Sequence, residues 1–533
     1  MTFISTRLPY RQTNAFTKTV LDYIDQADAL GSFYKHAPTL SGIHKAIEAR
    51  KQFSTNREVL VEELMNQYAS VHAEDAVNKN IESLLSPDTF TITTAHQNNI
   101  FTGPLYFIYK IIHAIKLSEQ LQQSLPQYRF VPVFYIGTED ADLEELNHTW
   151  VNGEKIVWES KQTGAVGRMK IDKALVKLIG KMEGQLTVLP HGAEIISLLR
   201  QYYTEGTTMQ DATFRFVHHL LGSYGLVVLL PDNPAFKKQL IPLFEDDLLH
   251  QTASGIVEQT AVKLEKAGYK VQAHPREINL FYLKDNERAR IERRNAQFSM
   301  LNSQYSFSEP ELLKELHEHP EHFSPNVILR GLYQETILPN IAFIGGGGET
   351  AYWLQLKELF EHYKVPFPVL VLRNSFLVVE KKWQERISKL GFTTEDFFLP
   401  VEELLNRLVT RESNNKTKLN GSLTETEALY DILKKQAASV DSSLEKHVDA
   451  LKVKAIYRLQ ELEKKMLRAE KRKFTDQQRQ IQTIKENLFP GNGLQERKEN
   501  LSYYYAKWGK AFLDELFNAS LSLEQEFVIL SEK

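Results

Sequence analysis

The sequence predicts an α/β fold: a Rossmann-like, mostly parallel sheet with helical inserts, followed by a C-terminal α-helical coiled coil. Three observations predict it. Apolar strands alternate with amphipathic helices between Thr91 and Leu372, the pattern of a parallel sheet covered by helices. Polar clusters follow these strands at their carboxyl ends, where an open α/β sheet binds its ligands. Beyond Asn414-Asn-Lys-Thr-Lys418 a long helical seam replaces the alternation.

Residues 1–85 read as helical, with a break at Ala37–Ser41 and an amphipathic stretch at Val59–Tyr68. The β-branched run from Thr91 ends at Thr94-Ala-His-Gln97, and Thr102-Gly-Pro104 opens a helix to about Leu125. Thr102 suits a cap, and Pro104 suits the first turn, where its missing N–H costs nothing. Phe130–Ile136 is the next strand and ends in Gly137-Thr-Glu-Asp-Ala-Asp142. Short strands are expected in Val151–Trp158 and a buried parallel strand at Gly225–Leu230. Asn233-Pro234 starts a helix through Leu240 and Leu248. Val271 and Ile278–Leu283 suggest further strands, with a turn at Asp285–Glu287. Ile341–Ile344 precedes Gly345–Gly348 and a helix from about Thr350 to Tyr363. Val369–Leu372 reads as the last strand.

In the C-terminal part, apolar residues from Leu429 to Met466 recur in steps of 4, 4 and 3. This eleven-residue period keeps a seam nearly straight or weakly right-handed. A final helix, about Asn500–Phe517, is too aromatic to stand exposed and is expected to pack on the body or on a partner. The expected organisation is a core over 1–415, a coiled-coil arm over 416–490, and a C-terminal helix within 491–533.

Composition narrows the class. Hydrophobic residues make up 42% and charged residues 25% of 533, as in ordinary globular proteins. The formal charge of −4 offers no field for nucleic acid. Cysteine is absent, which excludes disulfides, a cysteine nucleophile and a thiolate-held zinc. The N-terminus lacks an apolar signal core, and no apolar run approaches the roughly 20 residues of a membrane span. The expectation is a cytoplasmic protein without membrane or nucleic-acid partners. His218-His219 and His274 lack the spacing of a metal site, so no zinc is expected.

Each polar cluster has a functional and a plain reading. His96 and Gln97, with Thr94, Thr102 and Gly103, suit a phosphate held at a helix start; His96 could equally be a loop residue capping that helix. The acids Glu139, Asp140 and Asp142 suit hydroxyls, an ammonium or magnesium, while Glu144 and Glu145 read as an ordinary acidic helix start. Gly345, Gly346 and Gly348 with Glu349 let backbone N–H groups approach an anion, or form a bare tight turn. Arg330 and Arg373 suit carboxylate or phosphate, or a pairing with the acid cluster. Tyr352 and Trp353 could stack on a base, though core filling fits them better.

The ordered set His96-Gln97, Phe101–Leu105, Ile108–Ile111, Thr138–Asp140, Asp142, Glu144-Glu145, Asn147-His148, Ser324–Asn326, Leu329-Arg330, Tyr333-Gln334, Leu338-Pro339, Gly345-Gly346, Glu349 and Tyr352-Trp353 resembles the bacillithiol biosynthesis cysteine-adding enzyme family. The resemblance spans nearly the whole chain. It implies a core similar to class I synthetase-like nucleotide-binding folds. It also implies a ligase that adds L-cysteine to the amine of glucosaminyl malate (alpha-D-glucosaminyl L-malate), with the cysteine carboxylate activated and possible use of ATP with magnesium. A homodimer through the coiled coil is expected because the apolar seam needs a partner and the chain offers no second long heptad stretch of its own. Under the resemblance His96, Asp140 and His148 are the catalytic candidates. Thr94, Gln97, Thr102, Gly103, Gly345, Gly346, Gly348 and Glu349 would bind the cofactor. Thr138, Glu139, Asp142, Asn147, Arg330, Tyr352 and Arg373 would bind substrate. The family usually carries proline where this chain has Gly331 and Gly347. A nucleotide-binding, coiled-coil interaction protein without catalysis is the competing reading.

Overall fold

The computed structural model describes residues 3–294, 297–413 and 418–533. By its contacts the chain divides into Met1–Val378 with Gly493–Lys533, and Val379–Asn492. The boundary expected at 415/416 thus stands at 378/379, and residues 414–417, where the junction was expected, lie outside the described residues.

The strands are β1 (Phe3–Pro9), β2 (Thr89–Gln97), β3 (Arg129–Gly137), β4 (His148–Val151), β5 (Glu154–Val157), β6 (Val227–Leu229), β7 (Leu280–Lys284), β8 (Glu287–Arg294), β9 (Gln297–Met300), β10 (Ser306–Ser308), β11 (Phe323–Pro325), β12 (Asn340–Gly345), β13 (Val369–Leu372), β14 (Phe376–Val379) and β15 (Glu526–Glu532). In the first unit β13-β12-β2-β3-β6 form a parallel sheet. Parallel strands are covered on both faces and therefore read as continuous apolar runs; Thr89–Ala95 and Phe130–Ile136 are buried throughout. Helix Tyr106–Ser124 connects β2 to β3 and buries Phe107, Ile108, Ile111, Ile112 and Ile115. From β2 the chain moves outward to β3 and β6, then returns to β12 on the other side of β2. That reversal makes the gap between β2 and β12 the sheet's switch point, where a crevice opens at the carboxyl ends.

Strands β10-β9-β8-β7-β11 form an antiparallel sheet, which contributes its β7–β8 hairpin to the same crevice. Its turn falls at Asp285, as the sequence predicts, with φ 53°. Val271 is not in a strand.

Several expectations change. Residues 1–85 are not all helical: β1 pairs along its length with β15, close to the other end of the chain. Val369–Leu372 is followed by two more strands. The helix expected at Thr102 starts at Tyr106, because Phe101, Thr102 and Gly103 all take positive φ (49°, 69° and 62°) in a tight reversal. Asn500 Nδ2 braces that reversal, donating to the carbonyls of Phe101 and Gly103. The helix after the glycines starts earlier than expected, at Gly347–Trp353, and resumes as Lys357–His362. The aromatic helix is split at Gly509 (φ 62°) into Leu501–Trp508 and Lys510–Ala519, and Trp508 and Phe512 pack with Phe3 of β1.

The second unit is helical. Lys381–Lys389, Val401–Glu412 and Thr475–Leu488 share a small core of Trp383, Ile387, Leu404, Leu408, Ile481, Ile484 and Leu488. The arm is not one straight helix. Asn420–Val440 stops at Asp441, whose carboxylate accepts the Ser443 N–H, and Glu445–Lys471 runs back alongside it. The ion pairs Lys434–Asp449 and Lys452–Asp431 fix the two helices antiparallel.

Candidate active site

A cavity of about 820 Å³ lies at the carboxyl edge of the parallel sheet, within the size range of small-molecule sites. Each wall follows from a strand end. At the end of β2 the His96 ring stands edge-on to Tyr106 (5.2 Å) and Phe107 (5.4 Å). Its Nε2 is buried without a hydrogen-bond partner among the described residues. Burial holds the His96 pKa well below the usual histidine value, and Lys110, Arg373 and Arg330 push it further down, so the ring faces the cavity neutral. Gln97 Nε2 donates to Asp140 Oδ2 at 2.5 Å, joining the ends of β2 and β3.

After β3, Thr138 is buried beneath Gly167, which approaches so closely that a Cβ there would lie 2.5 Å from the Thr138 oxygen. Glu139 pairs with buried Lys237, which also reaches Asp232 at 3.2 Å. Burial raises the Glu139 pKa, opposed by Lys237. Burial pushes Asp232 upward too, yet Lys237 and Arg168 hold it down at about 2. Asp140 Oδ1 accepts the Asp142 N–H at 3.1 Å.

After β12, Gly346 donates its N–H to Glu349 Oε2 at 2.8 Å, and the same oxygen takes Lys110 Nζ. A Cβ at Gly347 would lie 2.9 Å from Val20 Cγ2, whereas Gly348 faces open space. At Gly331 a Cβ would press on Trp353 at 3.2 Å. Arg330 donates to the Tyr352 hydroxyl and lies over the Tyr135 ring. Arg373, after β13, is bound by Glu496 at 2.7 Å and Ser375 at 3.1 Å.

The structure therefore brings His96, Gln97, Thr138, Glu139, Asp140, Arg330, Gly346, Gly348, Glu349, Tyr352 and Arg373 to one cavity. Other candidates lie outside its lining. Thr94 Oγ1 donates to the Ile344 carbonyl, holding β2 to β12. Thr102 and Gly103 take positive φ in the tight reversal, where Asn500 Nδ2 donates to the Gly103 carbonyl. Asp142 caps the short helix Leu143–Leu146 through the Glu145 N–H. Asn147 Oδ1 meets His148 Nδ1 at 3.2 Å, and His148 begins β4. Gly345 spends its carbonyl on the Arg373 N–H. Conversely Glu145, read as a plain helix start, lines the cavity, as do Tyr106, Phe281, Arg288, Asn326 and Arg497. Tyr106 could have been found as the first residue of the helix after His96; Arg288 lies on a charged β-hairpin with no sequence signal. Among the described residues, His319, Glu321 and His322 bring ligand atoms within 4.8 Å of one another, but none of them lines the cavity.

The fold and this cavity define a Rossmann-like enzyme core with a polar, arginine-rich site at its switch point. The family model for bacillithiol biosynthesis BshC, N-terminal Rossmann-like domain, matches residues 4–374, and that for the BshC C-terminal coiled-coil domain matches 376–532. The chain belongs to this bacillithiol biosynthesis BshC family. Proteins named "Putative cysteine ligase BshC" from Flavobacterium psychrophilum and Flavobacterium johnsoniae are each 38% identical over 98% of this chain, covering 98% and 99% of their own lengths. One of the same name from Cytophaga hutchinsonii is 38% identical over 93% of each chain. The protein is accordingly an enzyme of the ligase class.

Proposed function

We propose that the protein joins the carboxyl group of L-cysteine to the amine of glucosaminyl malate, forming bacillithiol. The observation that carries this reading is the convergence, at one switch-point cavity, of a neutral histidine whose Nε2 has no partner among the described residues, a glycine turn open at Gly348, and the Arg288 and Arg330 guanidinium groups, which have no carboxylate partner among the described residues. Amide formation from a free carboxylate is uphill in water, so the carboxyl oxygen must first be converted into a leaving group. ATP carried with magnesium would supply that activation. Gly346–Gly348 and the neutral His96 would face its phosphates, and Asp140 and Glu145 offer carboxylates at the opposite wall for magnesium or an ammonium. The amine then attacks the activated carbonyl carbon, the activating group leaves with its electron pair, and the nitrogen sheds a proton. With no cysteine in the chain, no enzyme-bound thioester forms.

The test is direct. Purified protein given cysteine, glucosaminyl malate and ATP-magnesium is expected to yield bacillithiol by mass spectrometry, and a deletion strain is expected to accumulate glucosaminyl malate. Nucleotide binding without product would favour an interaction protein instead.

We further propose a homodimer through the helical hairpin. Its two helices leave Leu429, Ile432, Val440, Val453 and Tyr457 exposed, and a second copy would cover them. We propose the cytoplasm as its compartment; no helix among the described residues is long and apolar enough to cross a membrane.

A further inference from the structure

Most buried cations of the first unit sit on carboxylates: Arg50 on Glu335, Lys110 on Glu349, Lys237 on Glu139, and Arg373 on Glu496. Arg288 does not. It projects from β8 into the cavity wall, where its Nε donates to Ser324 Oγ at 3.2 Å and its guanidinium lies 3.8 Å above the Phe281 ring. Among the described residues no carboxylate comes within ion-pair distance of it. The nearby acids are already engaged: Glu139 holds Lys237, and Asp140 accepts from Gln97 and from the Asp142 N–H. Burial lowers the Arg288 pKa, and attraction from Glu139 and Asp140 opposes it.

A partly buried guanidinium left unpaired is costly unless an anion arrives. The geometry suits one. Phe281 supports the flat face and Ser324 takes Nε, leaving the terminal N–H groups for a bidentate contact. Ser324 leads through Pro325 and Asn326 into helix Val327–Ile337, whose start also lines the cavity and carries the positive end of its dipole. Arg276 stands exposed at the same wall. This corner belongs to the β3 side of the cavity, beside Glu139 and Asp140. The glycine turn expected to meet nucleotide phosphates belongs to β12, on the other side of β2.

We infer that Arg288, with the start of helix Val327–Ile337, is the subsite for a carboxylate of the acceptor substrate, the malyl arm of the amino sugar. The inference rests on the proposed ligase reading. A nucleotide phosphate is the other anion that this chemistry could hold.

The experiment uses the full chain, unaltered and as Arg288→Gln and Arg288→Lys. Binding of glucosaminyl malate and of ATP-magnesium is titrated separately by calorimetry, and KM is measured for all three substrates. Arg288→Gln is expected to weaken glucosaminyl malate binding and raise its KM by about tenfold or more, with ATP and cysteine values within about twofold. Arg288→Lys is expected to recover part of the loss, which a merely structural defect would not allow. Unchanged glucosaminyl malate affinity in Arg288→Gln, loss of ATP affinity instead, or no binding of glucosaminyl malate to the unaltered protein would each overturn the subsite. Selective loss of binding in an enzyme that forms no bacillithiol would uphold the subsite and overturn the ligase reading.

Discussion

Lys110 Nζ and Glu349 Oε2 meet at 2.5 Å, tying the helix that follows β2 to the glycine turn that follows β12. Lys110 is 1% exposed and also donates to the Ala95 carbonyl, while Glu349 holds the Gly346 N–H. One ion pair thus ties the helix after β2 to the glycine turn after β12 at the edge of the cavity. Burial lowers the Lys110 pKa, and Glu349 pulls it back up.

Removing one partner should therefore damage both fold and site. Lys110→Met leaves the Glu349 carboxylate, a quarter exposed at the cavity, without its cation, and a loss of about 2–3 kcal/mol is expected, below the range for a fully buried pair. Chemical denaturation of the variant measures it. Lys110→Arg, which keeps the charge, should lose less stability yet still lower product formation by displacing the glycine turn. A Lys110→Met protein with unaltered stability would show that the pair does not brace the crevice.

Acid should destabilise the first unit through His113. Its Nδ1 accepts the Asn374 N–H at 3.0 Å, and its Nε2 donates to the Ser522 carbonyl at 2.7 Å, an arrangement that needs the neutral ring. Burial lowers its pKa from 6.5 to about 4. The unfolded chain therefore binds a proton that the folded chain refuses as pH falls from about 6.5 to about 4. Stability drops across that window, by up to about 3 kcal/mol from this group, and is recovered above it. Urea unfolding of the unaltered protein and of His113→Gln at a series of pH values isolates the contribution. The two should differ in slope only between those pH limits.

The helical hairpin should carry self-association. Replacing exposed Ile432 and Val453 with Glu is expected to leave helix content by circular dichroism unchanged and to shift light-scattering mass from twice the chain mass to the chain mass. An unaltered protein that already scatters as a single chain would refute the proposed dimer.

The parallel sheet was legible because its strands are buried on both faces. Phe130–Ile136 and Ile341–Ile344 announce themselves as apolar runs, and the polar ends that follow them reach the cavity. The arm was legible as helix but not as a hairpin. Ala437, Val440, Leu444 and Val448 keep the helical spacing straight through the reversal, so the seam alone does not reveal it; only Asp441-Ser-Ser443 carries a turn signal. The β1–β15 pairing joins segments more than 500 residues apart, and nothing local in either encodes its partner. Thr102 and Gly103 misled because a Thr-Gly-Pro sequence serves a helix start and a tight reversal equally well. Arg288 was hidden because its significance lies in having no acid paired with it among the described residues, a property of three-dimensional packing.

His96 and Asp140 should serve the reaction more than the fold. His96 stands one residue before the end of β2, its Nε2 without a partner among the described residues, and the Asp140 side chain bonds Gln97 and the Asp142 N–H. Neither substitution removes a buried ion pair, so His96→Ala and Asp140→Ala should each cost no more than about 1–2 kcal/mol and leave melting temperatures within a few degrees. His96 loses ring packing against Tyr106 and Phe107, which sets the upper part of that range. Product formation should fall by at least about a hundredfold in each. Because His96 is already neutral well into the acid range, its replacement should not remove a titration between pH 6 and 9; an acid limb in kcat that persists in His96→Ala belongs to another group. The measurements are thermal melting of each variant, mass-spectrometric yield of the cysteine adduct, and the pH profile of His96→Ala. Full yield from both variants would defeat the assignment whatever the melting temperatures. A large loss of stability with activity retained in the folded fraction would make these residues part of the scaffold.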